Sequence, residues 1–371
     1  MKLNKSHFVG VENNMLDKYR DAVALGISSY NYGILPPVAG TGTSFNVSID
    51  IDRNQLLRVN IHELRAITHA GVRIEISEQG RHEYANTKIN AEFDLKTMKG
   101  KSLYIVLSVN PYSRVAIGEP DPTEVPPRFP YTDFEYAINV VAADDLQQPS
   151  NGFYHLCIGK LSISGNNCQL DSDYLPPCTS LRSHPSLFEQ YEHLDKVLTR
   201  LEIDCITIIQ KIFKKEQTNL LAQSVLYLTE RVLEYISTSI VQYRWVLKER
   251  PPVDMVAYFV AMARIIKNTM DIKTGTGREQ MLTYFKDWIV EVNQGEFEQV
   301  LEDMINLQYD HNDTAEALAK LDAFYITINV VFNKLSKLDF IGEKKSTAMI
   351  VTAEEASVAP QRKKKPSIFI D

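Results

Sequence analysis

The chain is expected to be a multidomain α+β protein, with an N-terminal β-sandwich, then an antiparallel helical bundle and a flexible basic tail. Three observations predict this. Twelve of the 16 glycines and 12 of the 16 prolines lie at or before Pro185, so turn punctuation is dense in the first half and sparse in the second. Apolar residues alternate with polar ones in the first half and recur at steps of three and four in the second. Beyond Ile341 the apolar periodicity stops and charged residues take over, as in a flexible tail. The expected boundaries are 1–180, 181–341 and 342–371.

The elements follow in order. One helix is expected near the start. Residues 44–52 place Phe45, Val47, Ile49 and Ile51 against serine, asparagine and aspartate, the pattern of a half-buried strand. Similar runs cover 57–61, 72–76, 103–109, 135–141 and 154–163, and 61–69 reads as a short helix. Several short strands with frequent turn signals favour a sandwich over a doubly wound sheet. Six prolines between Pro111 and Pro130 exclude an interior strand and leave an extended surface loop or an arm over a neighbouring subunit.

In the second half Leu187, Tyr191, Leu194, Leu198, Leu201, Cys205, Ile208 and Ile212 form one helical stripe, entered through Ser183, His184 and Pro185. Further helices are predicted over 218–248, 253–272, 278–292, 296–309 and 314–338. Pro251 and Pro252 end the first of these, because proline lacks the amide hydrogen and restricts its predecessor. Apolar-striped helices with short connections pack as an antiparallel bundle.

Composition excludes several classes. A net charge of −7 argues against a dedicated nucleic-acid binder. The longest apolar run, 255–263, is bounded by Asp254 and Arg264 and is too short to span a membrane. The first 20 residues lack an apolar signal region. Cys157, Cys168, Cys178 and Cys205 have no paired spacing for zinc or redox work and suit a reducing cytoplasm.

Catalytic motifs fail on inspection. His62-Glu63 needs a second histidine at 66, where Ala66 stands. Asp50, Asp52 and Asn54 imitate a calcium loop, but Gln55 replaces the turn glycine and Ile61 the bidentate glutamate. Both aspartates are expected to face solvent on a strand. The Gly-Thr-Gly-Thr and Thr-Gly-Thr-Gly stretches at 40–43 and 274–277 lack the phosphate-loop lysine. His7, His184 and His193 have no nucleophile arrangement around them. No enzymatic activity, cofactor, metal or small-molecule substrate is expected. At the end of the chain Arg362, Lys363, Lys364 and Lys365 precede Ile368, Phe369 and Ile370. Such a segment suits an anionic membrane surface or strand addition to a partner.

A local signature sits between the two halves. Ile158-Gly159-Lys160-Leu161 is followed by Leu170-Asp171-Ser172-Asp173-Tyr174-Leu175-Pro176-Pro177-Cys178, and Ser183-His184-Pro185-Ser186-Leu187 then opens the long helix. This order resembles the TssK family of type VI secretion baseplate subunits. The start of the chain, with His7-Phe8, Asp17, Tyr19 and Tyr32-Gly33, fits the same frame, and the resemblance spans roughly residues 6–340.

The resemblance implies a cytoplasmic structural homotrimer at the inner face of the bacterial inner membrane. Such a protein joins a wedge of TssF and TssG type to a membrane-anchored complex, through a sandwich similar to the shoulder of phage receptor-binding proteins. It places His7, Phe8 and Asp17 on the wedge-facing segment. The family's usual C-terminal domain of about 130 residues is expected to be absent here, so the membrane-side partner is expected to differ.

The bundle's aromatic residues Tyr227, Tyr235, Tyr243 and Trp245 are candidates for the trimer contact. Pro176, Pro177 and Cys178 form a stiff hinge with the cysteine as a small buried hydrophobe. The alternatives are a phage tail adaptor or receptor-binding shoulder, and a peripheral membrane-binding module acting through its tail.

Overall fold

Helix α1 (Lys5–Ala24) opens the chain in the computed structural model, which describes residues 4–38, 42–77, 89–98, 100–146, 154–164, 167–273, 276–288 and 294–342. The Asn4 side chain accepts from the His7 amide, and the His7 ring accepts from the Asn4 amide. This reciprocal cap satisfies two otherwise unpaired donors.

Two antiparallel sheets follow. The first contains β1 (Gly33–Ile34), β2 (Phe45–Ile51), β3 (Leu56–Ile67), β4 (Arg73–Ser77) and β5 (Ile89–Asp94). Its spine is β3, which pairs with β2 and β1 along one edge and with β5 and β4 along the other. Residues 61–69, expected as a short helix, instead continue this strand to Ile67. Asn46 of β2 pairs with Glu63 and Val47 with Ile61, so His62 is an extra residue in β3 and moves its buried phase from Leu57, Val59 and Ile61 to Leu64 and Ala66. That one-residue slip, the effect of a β-bulge, breaks the alternation and imitates helical spacing. Asp52 lies past the end of β2 and accepts from the amides of Asn54 and Leu56, so it is a turn residue rather than a strand residue.

The second sheet has the order β7 (Tyr131–Ala142), β6 (Ser102–Ile117), β8 (His155–Ser164), β9 (Asn167–Leu170). Both sheets contribute to one buried cluster, including Ile61, Leu64, Ile105, Leu107 and Ile158. At Gly159 the opposing sheet comes so close that an added Cβ would lie 2.7 Å from Ile49 Cδ1. The proline-rich stretch is partly regular. Pairing breaks at Asn110/Arg114, next to Pro111, and resumes from Arg114 opposite Phe134 to Ile117 opposite Tyr131. The remaining prolines fall in the exposed connection 118–130.

Helices α2 (Pro185–Lys214), α3 (Leu220–Trp245), α4 (Pro252–Ile272), α5 (Thr276–Trp288), α6 (Gln294–Ile305) and α7 (Ala315–Lys337) form the second half. Their apolar stripes extend the same buried cluster. The predicted α2 stripe is buried from Leu187 to Ile212, and His184 caps the helix by accepting from the Ser186 amide. One carboxylate, Asp204, is buried between α2 and α7, where Arg200, Asn333 and Ser336 satisfy it. All four cysteines are free and buried. No helix among the described residues is long and apolar enough to cross a membrane.

Gly33 shows how tightly the halves meet. Its φ is +113°, and a Cβ there would fall 2.0 Å from the Pro177 carbonyl oxygen. Gly33→Ala is therefore expected to cost about 3 kcal/mol or more, from backbone strain plus displacement of the junction. Urea unfolding read by far-UV circular dichroism should show a lowered midpoint; an unchanged midpoint would contradict this packing.

Candidate functional site

The junction between the halves is built from the signature residues. The Ile34 amide donates to the Pro177 carbonyl at 2.7 Å, and the amide and hydroxyl of Thr179 both donate to the Ile34 carbonyl. Cys178 sits opposite Ile34 in a parallel bridge, fully buried. Its thiol donates to the Pro176 carbonyl, and burial pushes its pKa far up, so it is an inert packing group. Two residues further, the Leu181 amide donates to the Arg250 carbonyl and the Ser180 hydroxyl to the Lys248 carbonyl. The same short segment thus bonds β1 on one side and the α3–α4 connection on the other.

A second set of contacts joins the loop before α7 to the sheets. Lys160 on β8 pairs with Asp313 at 2.5 Å and with Asp171 at 3.7 Å, while the Tyr104 hydroxyl donates to Asp313. The Tyr32 hydroxyl donates to Asn312. His311 is buried, with Nε2 2.8 Å from the Tyr32 carbonyl and Nδ1 3.0 Å from the Tyr309 hydroxyl. Burial pushes its pKa down to about 4, against smaller opposing effects of the Tyr32 carbonyl and Asp310. Tyr174 of the signature packs edge-on against Tyr104. Beside these residues lies an open groove of about 530 Å³ lined in part by Tyr30, His69, His155 and Asp310. Among the described residues no group of three or more histidine, cysteine or acidic side chains is placed to hold a metal.

Helix α1 presents an unpartnered apolar stripe. Phe8, Val11, Met15 and Tyr19, at steps of three and four, are all exposed, and no residue of the helix is buried. Polar contacts hold it: Glu12, at the flank of the stripe, pairs with Arg114, and Asp17, on the opposite side, accepts from the Tyr112 hydroxyl. Arg20 donates to the Ala70 carbonyl and lies over the Tyr154 ring. Of the predicted wedge-facing residues, Phe8 points outward, His7 caps the helix and Asp17 is a tether.

The predicted aromatic contact on α3 is divided. Tyr243 is fully buried, stacked on Tyr191, and the two exchange hydroxyl-to-carbonyl hydrogen bonds. It cannot face a partner, because its turn of α3 packs onto α2. Tyr235 is half-buried and donates to the Tyr258 carbonyl. Tyr227 takes the Lys273 ammonium over its ring. Only Trp245, 73% exposed, stands clear.

A second stripe escaped the sequence reading. Thr199, Ile203, Ile206, Gln210 and Phe213 follow alternating steps of four and three along α2, and Ile203, Ile206 and Phe213 are exposed. This is the spacing of a coiled-coil seam, legible in the sequence but overshadowed by the buried stripe on the same helix. Residues 362–365 and 368–370 lie outside the described residues.

No family model matches the chain, and no curated protein matches it. Solved structures similar to it include TssK from the EAEC type VI secretion system with nanobody nb18, at 14% identity and a TM-score of 0.42 over 86% of this chain and 96% of that one. A crystal structure of TssK has 14% identity and a TM-score of 0.45 over 89% and 67%. The TssK-TssF-TssG baseplate subcomplex of type VI secretion has 11% and 0.40 over 91% and 97%.

The buried His311 makes the junction acid-sensitive. Its folded pKa lies below the ordinary 6.5, so the unfolded chain binds the proton more readily. Stability is then fully present above about pH 6.5 and lost as the pH falls towards 4. The loss attributable to this group is about 3 kcal/mol. Urea midpoints measured between pH 7.5 and 4 should fall more steeply in the parent than in His311→Gln; parallel slopes would remove His311 as the cause.

Proposed function

We propose that the chain is a non-enzymatic, cytoplasmic adaptor of TssK type in a contractile injection baseplate. The observation that carries this reading is the role of the signature residues. Lys160, Asp171, Tyr174, Pro177 and Cys178, which carry the resemblance, are the residues that meet at the joint between sheets and helices. A joint bonded on both sides transmits position and load rather than performing chemistry, as an adaptor requires.

In this reading, residues 1–180 form a shoulder-like sandwich facing a TssF/TssG-like wedge, residues 181–341 a trimerising bundle, and 342–371 a partner- or membrane-contacting tail at the inner membrane. The exposed α1 stripe is the wedge contact, because isolated apolar rows of this kind mark interaction sites. The exposed α2 stripe is the trimer seam, replacing Tyr243 in that role. Trp245 stays as a peripheral trimer candidate.

Light scattering on a size-exclusion column should give about three times 42.2 kDa. Ile203→Asp with Ile206→Asp should shift the mass to one chain without lowering the unfolding midpoint. A parent monomer across a wide concentration range would overturn the trimer. A trimer in the double variant would move the seam elsewhere.

Wedge contact is tested by co-purification with TssF- and TssG-like proteins from the same genome. Phe8→Ser with Met15→Ser should weaken retention at least tenfold, since each exposed apolar side chain contributes about 2 kcal/mol when buried. Retention equal to the parent would exclude α1 as the wedge contact.

A further inference from the structure

The groove beside the Asp313 contacts holds more than the joint needs. A chain of rings lines it. Tyr32 lies between His69 and His311, at centroid distances of 5.2 and 4.8 Å. His311 continues to Tyr309, and Tyr309 meets Tyr30 edge-on at 5.8 Å with the ring planes 68° apart. Tyr32 and His311 are buried and serve the joint, whereas Tyr30 is 44% exposed. Tyr30 and Tyr309 form an aromatic corner that opens to solvent.

A carboxylate stands beside that corner. Asp310 follows Tyr309 directly, lines the same groove and is exposed. It accepts from the Asn312 amide, and among the described residues no cation pairs with it. The cations nearby are committed elsewhere. Lys160 pairs with Asp313 and Asp171, and Arg20 donates to the Ala70 carbonyl and lies over the Tyr154 ring. The negative charge reaches the rings. Burial first, with Asp310 among the further causes, pushes the Tyr32, Tyr104 and Tyr309 hydroxyls up.

A planar cation suits this arrangement. An aromatic face attracts a cation within about 6 Å of its centroid. Arginine also stacks on such faces, and its guanidinium bonds a carboxylate through two parallel N–H groups. A corner of two rings beside a carboxylate offers both interactions to one side chain. A lysine ammonium would meet the charge without the stacking. We propose that this groove captures an arginine side chain carried on an extended segment of a partner protein.

The size of the groove selects a segment over free arginine. At about 530 Å³ it falls within the range of sites that enclose drug-sized ligands, and a lone arginine would leave much of it empty. Tyr30 and Asp310 stand at its exposed rim, so an arginine entering between them leaves its backbone along the opening. The residues on either side then continue along the groove. The proposal goes beyond the baseplate reading and does not depend on it. The trimer mass and wedge retention decide that reading, whereas peptide binding decides this one.

The test is saturation-transfer NMR of the peptide acetyl-Ala-Pro-Arg-Pro-Ala-amide with the full chain, beside the same peptide carrying citrulline, the neutral isostere. The prolines keep the peptide extended. The arginine peptide is expected to bind about fivefold more tightly than the citrulline peptide, or better. Asp310→Asn should weaken it about fivefold, the loss of one exposed ion pair. Tyr30→Ser should weaken it about threefold, the loss of one exposed cation–π contact. Asparagine keeps the oxygen that accepts from the Asn312 amide, and Tyr30 is exposed, so both variants should retain the circular dichroism of the parent.

No binding of the arginine peptide, or equal binding of the two peptides, would overturn the proposal. Binding untouched by both variants would place the arginine outside this groove. A loss as large in Glu230→Gln, an exposed carboxylate on α3, would reduce the effect to net charge and overturn the assignment. Arginine amide binding as tightly as the peptide would assign the groove to a free guanidinium ligand instead of a protein segment.

Discussion

The Ile34 backbone, held between Pro177 and Thr179, is the constraint on which the rest of the structure depends. Its amide and carbonyl both bond the segment that leaves the second sheet, and that segment bonds the α3–α4 connection through Ser180 and Leu181. Prolines at 176 and 177 fix φ there, so little conformational freedom remains to be lost when the bonds form. The absence of a side chain at Gly33 lets the two backbones approach. Because these bonds are buried, breaking them leaves unsatisfied groups away from water, which costs more than the bonds themselves contribute.

The polar latch around Asp313 adds a second attachment some distance along the same junction. One attachment would leave a pivot; two resist rotation. Lys160 and Tyr104 bond the Asp313 carboxylate, and Lys160 also pairs with Asp171, while His311 lies between two oxygens. The two attachments together hold the α3–α4 connection and the loop before α7 against the sheets.

Much of this was legible in the chain. The change in character near Pro185 follows from turn chemistry and periodicity, and α2, α4 and α7 fall within a few residues of their expected ranges because amphipathic spacing and proline punctuation are local signals. Residues 61–69 did not read as a strand, because the extra residue of the β-bulge, His62, shifts the alternation within β3 and only the pairing with β2 reveals it as a bulge. Strands β1, β5 and β9 are too short or too polar to register without their partners. The rejected motifs carry ordinary structural roles: His62 lies 2.9 Å from the Ser48 hydroxyl, and Asp52 organises a turn.

By itself the sequence determined the order of the elements, the burial of one face on each long helix, and the identity of the segment that joins the halves. Those properties depend on residues close together in the chain. Only the tertiary structure decided which aromatic residues were left for partners. Tyr243 and Trp245 are two positions apart on one helix and equally apolar in the sequence, yet one stacks on Tyr191 and the other stands in solvent. It likewise decided that Phe8 is free while Asp17 is tied down, and that Ile203 and Ile206 lie outside the core. Whether an apolar side chain is buried depends on what packs across from it, and that neighbour is supplied by a distant part of the chain.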